Sequence, residues 1–162
     1  MTMVATIGVG ARGKGALGER EVKIILKSIL QPVYLHHNEP LPDIERNLEQ
    51  SRGGGYDLTG LEWLAIEVKR QERSNLKAWW KQTLAQCGEH QIPFLIHRAN
   101  HQPWRVRTVV PVVIAQTIFG SVSTKILSLV VDLERVEWTE WLRWECHKRL
   151  EQEKAKSATT DD

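Results

Sequence analysis

The chain has little of what would tie it to a disulfide scaffold, a membrane or a broadly basic surface. It has two cysteines, Cys87 and Cys146, at a spacing that fits no metal motif and in segments that read as helical. A reducing compartment is the simpler reading, although a bridge between the two stays open. No apolar run reaches the ~20 residues a membrane helix needs, so no membrane association is expected. The first ten residues lack a basic stretch followed by an apolar one, so no export signal is expected and a cytoplasmic setting follows. Charge of one sign is scarce too: 22 Lys plus Arg balance 20 Asp plus Glu, leaving +2. A nucleic-acid surface must then be a local patch. There is no internal repeat.

What is present suits one soluble α/β domain. The 162 residues suffice for a proper core, and 41% hydrophobic with 26% charged residues is a globular balance. Seven tryptophans are expected to anchor core or interface. Residues 1–15, glycine-rich with Arg12 and Lys14, read as a flexible basic arm. A helix is expected over about 16–30, with Val22, Ile25, Leu26 and Ile29 as its apolar stripe, ended by Pro32. Val33, Tyr34 and Leu35 then read as a short strand, and 38–55 as a long loop of the kind that is more often functional than idle. A strand over 62–70 precedes a helix capped by Ser74 or Asn75, with Leu76, Trp80, Leu84 and Cys87 on one side. Strands follow at 93–97, 104–110 and 126–131. Residues 109–119, broken by Pro111, are of uncertain type, and 109–114 are expected as core. A last helix covers about 134–152, with Trp138, Trp141, Leu142 and Glu145 near one side, and 153–162 read as a disordered tail. This order predicts helices flanking one mixed sheet, with the working domain over 16–152.

The chemistry concentrates between residues 53 and 69. Three glycines and Tyr56 deliver Asp57; after nine intervening residues a strand supplies Glu67 and Lys69. Leu64, Ile66 and Val68 alternate with Ala65, Glu67 and Lys69, so period two puts Glu67 and Lys69 on one face, roughly 6.6 Å apart along the strand. Two carboxylates able to share a divalent cation, with an ammonium beside them, suit phosphodiester hydrolysis. Glu19 is the candidate third carboxylate, since on a helix it shares an edge with Val22 and Leu26; Glu21 falls on the other border. The backbone carbonyl of Val68 can complete an oxygen shell, which favours Mg²⁺ or Mn²⁺ over zinc. Each residue also has a plainer reading. Glu19, Glu21 and Lys23 fit solvated helix charges, Asp57 fits a turn, and Glu67 and Lys69 fit the charged face of an edge strand.

Asp57…Glu67-Val68-Lys69 resembles the PD-(D/E)XK nuclease motif, with Tyr56 where that motif has proline. Within the superfamily the chain most resembles archaeal-type Holliday junction resolvases. The segment Lys14-Gly15-Ala16-Leu17-Gly18-Glu19-Arg20-Glu21 resembles their opening helix, whose first glutamate binds metal, which implies that role for Glu19. Ser51-Arg52-Gly53-Gly54 stands where the family has a serine/glycine loop near the scissile phosphate. Gln82, thirteen residues after Lys69, stands where it has a glutamine behind the site. The resemblance covers roughly residues 12–112. It implies a restriction-endonuclease-like fold, a Mg²⁺-dependent cut in four-way or branched DNA, and a homodimer matched to the two-fold symmetry of a junction. Residues 109–119 and the last helix are candidate dimer surfaces. Arg12, Lys14, Ser51, Arg52, Arg70, Arg73 and Arg105 are candidate DNA contacts, with Arg98 and Arg107 beside Arg105 in a second basic group. The rival readings are a related nuclease acting on linear or damaged DNA in repair or restriction, and a dinucleotide-binding protein suggested by Gly8, Gly10 and Gly13.

Overall fold

In the computed structural model, residues 11–48, 55–118 and 121–159 are described. Among the described residues, three helices flank a six-stranded mixed sheet in one α/β domain. The chain runs α1 (Ala11–His36), β1 (Glu45–Arg46), β2 (Leu58–Thr59), β3 (Leu64–Gln71), α2 (Leu76–Gln86), β4 (Ile92–Ala99), β5 (Arg105–Ile118), β6 (Ser121–Leu133) and α3 (Arg135–Ala158). Strands lie side by side in chain order. Only β3 and β4 pair in parallel. A parallel pair needs a crossover, and α2 supplies it.

Burial explains the layers. Val22, Leu26, Ile29, Leu30 and Val33 of α1 pack with Leu64, Ile66 and Val68 of β3, Phe94 and Ile96 of β4, and Trp138, Leu142, Cys146 and Leu150 of α3. One face of the sheet is therefore covered by α1 and α3. Period two sends Ala65, Glu67, Leu95 and His97 to the other face, where α2 contributes Trp79 and Thr83. α1 packs closely on the sheet at Gly18, where a Cβ would sit in van der Waals contact with Arg70 Cβ at 3.4 Å and Trp104 Cη2 at 3.5 Å.

Several boundaries differ from the sequence reading. α1 begins by Ala11, so 11–15 belong to the helix, while 1–10 lie outside the described residues. It also runs through Pro32 to His36, so Val33, Tyr34 and Leu35 form its last turns and no strand. Val33 and Tyr34 are buried there, and that burial outweighs the proline penalty. The buried side of α2 is Trp79 and Thr83, whereas Leu84 is exposed. β5 absorbs both expected segments into one strand containing Pro111. Beyond Thr108, β5 has β6 on one side only, the setting in which a strand tolerates proline. The result is a two-stranded ribbon rather than core: Val113 and Ile126, cross-strand partners, are both exposed. α3 reaches Ala158, so most of the expected tail is helical. Cys87 and Cys146 are both free thiols.

Candidate active site

The site forms where the sheet loses a strand. β2 pairs with β3 only at Leu58 and Ile66, so β3 has an open edge beyond Ile66. Asp57 fills the gap. Its backbone N–H donates to Ile66 O at 2.8 Å, and its Oδ2 accepts the Val68 N–H at 2.7 Å, in place of a neighbouring strand. The N–H and C=O of one strand residue point to the same edge, so the Val68 carbonyl faces the same opening.

Glu67 lies two residues along β3 from Ala65 and is wholly buried. Gln82 of α2 donates from Nε2 to Glu67 Oε1 at 2.8 Å, and the Lys69 ammonium pairs with that same oxygen. The other carboxylate oxygen, Oε2, is buried and has no hydrogen-bond partner among the described residues. Burial first, and the Asp57 charge second, push the Glu67 carboxyl up to about 7, against the pull of Lys69. Glu19 raises it further. A buried carboxylate oxygen left without a donor carries a desolvation penalty that a cation would relieve.

Glu19 comes from α1 and reaches the same cleft, a concavity of about 540 Å³ lined by Gly15, Glu19, Asp57, Val68, Lys69, Arg70, Gln71, Glu72 and Arg73. Arg46 of β1, which the sequence reading did not select, donates from Nε to Glu19 Oε2 at 2.5 Å. It ends a charged seam: Glu19, Lys23 and Lys27, each one turn apart on α1, meet Arg46, Glu45 and Asp43. Glu21 sits on the other flank of α1. It accepts from Arg98 Nη2 at 2.6 Å and Trp104 Nε1 at 3.0 Å, with Arg70 Nη1 at 3.7 Å. It thus ties helix to sheet and stays out of the cleft lining.

The structure therefore brings Glu19, Asp57, Lys69, Arg70 and Arg73 to one cleft, with Val68 in its wall and Gln82 behind Glu67. It does not bring Arg105 there. Arg105 lines a separate pocket of about 200 Å³ with Ser74, His97 and Arg98, and pairs with Glu134. Ser51 and Arg52 lie outside the described residues, as do the side chains of Arg12 and Lys14. Gly13 stands in the first turn of α1, Gly8 and Gly10 lie outside the described residues, and the strand that follows α1, β1, pairs antiparallel with β2. Comparison with known proteins finds no matching family model, no matching curated protein and no matching solved structure.

The donor set is all oxygen: the carboxylates of Glu19, Asp57 and Glu67 and the Val68 carbonyl. That set, with an orphaned buried oxygen among it, fits a hard divalent cation better than zinc.

Proposed function

We propose that the chain is a Mg²⁺-dependent, structure-selective endodeoxyribonuclease that cuts four-way or branched DNA by phosphodiester hydrolysis, as a homodimer. The observation that carries this reading is the Glu67 carboxylate: buried beside Asp57 and Lys69, just behind the cleft that those two residues line, with one oxygen unpartnered among the described residues. A fold gains nothing from that arrangement unless a ligand completes it.

Glu19, Asp57, Glu67 and the Val68 carbonyl would hold Mg²⁺, with Mn²⁺ able to substitute. Bound there, the cation supplies Lewis-acid polarisation of the phosphate and a more acidic water. Lys69 has two duties that follow from its position. It balances the Glu67 charge, and its ammonium orients the attacking water or offsets charge building on the phosphate oxygens. Gln82 fixes the Glu67 carboxylate from behind. Arg70 and Arg73 at the cleft wall attract the DNA backbone without reading sequence. Hydrolysis joins water to phosphorus and releases one ester oxygen, so the cleft must admit a strand from outside, and its open side allows that. Self-association is supported by the β5–β6 ribbon, where exposed Val113, Ile126 and Val130 share one face that would be covered in a dimer.

The test compares cleavage of a mobile four-way junction with that of plain duplex, with Mg²⁺ and with EDTA. Wild type should cut the junction only with metal. Asp57→Ala, Glu67→Ala and Lys69→Ala should each remove cleavage while junction binding persists. A Glu67→Ala protein that cuts at the wild-type rate ends the assignment. Equal cutting of duplex moves the chain to the related reading, a nuclease of linear or damaged DNA.

A further inference from the structure

A second group of ligating side chains lies at the other end of α1, roughly 25 Å along the helix from Glu19. Here α1 closes in a Schellman turn: Glu39 N–H donates to Tyr34 O at 3.0 Å and Asn38 N–H to Leu35 O at 3.1 Å, with Asn38 at φ 56°. His37 N–H still bonds the Val33 carbonyl at 3.3 Å, the chain leaves the spiral at Asn38, and the adjacent rings of His36 and His37 both lie against His147 of α3. The ring centroids are 5.2 Å apart for His36 and His37, 5.5 Å for His36 and His147, and 5.0 Å for His37 and His147. His37 Nε2 and His147 Nδ1 are 2.8 Å apart. One nitrogen from each ring lies within 4.8 Å of the other two.

We propose that His36, His37 and His147 form a three-imidazole site for a borderline divalent transition-metal ion of the zinc class, separate from the oxygen-lined cleft. Imidazole nitrogens select zinc, cobalt, nickel or copper over magnesium. Tetrahedral bonds of about 2.0–2.1 Å need nitrogens roughly 3.3 Å apart, so the His37–His147 pair opens slightly and His36 swings in. His36 can do so because it is exposed, while His37 is buried and His147 half-buried. That gradient also leaves the ion a route in from solvent. The charged groups around the cluster are Glu151, one turn beyond His147 on α3, and Lys154, whose Nζ donates to the His37 carbonyl at 2.5 Å. A water would take the fourth position. Such an ion would clamp α1 to α3 across residues 110 apart in sequence, adding to the apolar packing, the His pair and the Lys154 bond to the His37 carbonyl.

The test uses the full chain, stripped with chelator and titrated with CoCl₂, then displaced by ZnCl₂. Cobalt in a tetrahedral nitrogen site gives visible ligand-field bands, which neither surface binding nor six-oxygen coordination produces at comparable strength. Wild type should show one equivalent with these bands, and ZnCl₂ should raise its melting temperature. His36→Ala changes an exposed residue and should keep the fold; it should weaken binding by about 10–100-fold. His147→Ala should do the same, with far-UV circular dichroism confirming its helices. Asp57→Asn, altered only in the cleft, should bind as wild type does, so loss of nuclease function and loss of this site are read separately. Absence of the bands in wild type, or undiminished binding and melting shift in His36→Ala, overturns the proposal.

Discussion

At the scale of the residue, Glu67 sets the terms. Its ordinary value of 4.5 applies in the unfolded chain, and burial pushes it up to about 7 in the fold. As pH rises, the unfolded chain loses this proton first. The stability tied to the protonated form is thus complete below 4.5, declines as pH climbs, and is gone above 7. In metal-free protein Glu67→Gln should therefore melt higher than wild type at pH 8 and equal it near pH 4, by about 2–4 °C for each kcal/mol recovered. Differential scanning calorimetry at the two pH values checks this; a variant that melts lower at pH 8 contradicts it. Arg46 makes a second case. Its 2.5 Å bond engages the Glu19 oxygen that a cation would use. Arg46→Ala should tighten Mn²⁺ binding about 3–10-fold by calorimetric titration, because the competing donor and a positive charge leave together. Gln82→Ala should weaken it about 10–100-fold. Asp57, Glu67 and Lys69 were legible because strand alternation fixes which side chains share a face. Arg46 was not, since nothing local says which residue of a long loop will reach back to α1. His36, His37 and His147 escaped for the same reason: their meeting depends on how two helices pack, not on spacing.

At the scale of the element, proline was read too strictly. Pro32 is exposed inside α1, and the helix continues because Val33 and Tyr34 are buried on its far side. The local cost remains, so Pro32→Ala should stabilise the protein by about 1–3 kcal/mol in urea unfolding. An unchanged midpoint would mean the turn is already relaxed. α2 was found with its cap, since Asn75 Oδ1 accepts from Ala78 N–H at 3.3 Å, but with the wrong face inward. Trp79 and Trp80 are adjacent, and apolar spacing supports either tryptophan; the sheet decides by placing His97 beside Trp79, ring centroids 6.2 Å apart. The mixed sheet itself was legible from the alternation of helical and strand patterns, whereas the length of β5 and β6 was hidden by Pro111.

At the scale of the whole molecule, the candidate site draws on four segments: the turn leading into β2 supplies Asp57, β3 Glu67 and Lys69, α1 the third carboxylate and α2 the glutamine. Among the described residues, the ribbon is a long stretch of sheet with apolar residues facing outward, Val113, Ile126, Leu129 and Val130 among them. Paired strands alone are marginal in water, so a second copy should stabilise it. Val113→Asp with Ile126→Asp should shift light-scattering mass from dimer to monomer and leave the helical signal unchanged. A monomeric wild type would remove the homodimer from the reading. The ribbon has a further consequence. Past Thr108 each strand is bonded along one edge alone. Its amides can open to deuterium without any disturbance of β3 and β4, so exchange there should outrun that of the central strands by orders of magnitude. A protease nick in that arm should likewise leave the acidic cleft whole, separating the outlying ribbon from the candidate site.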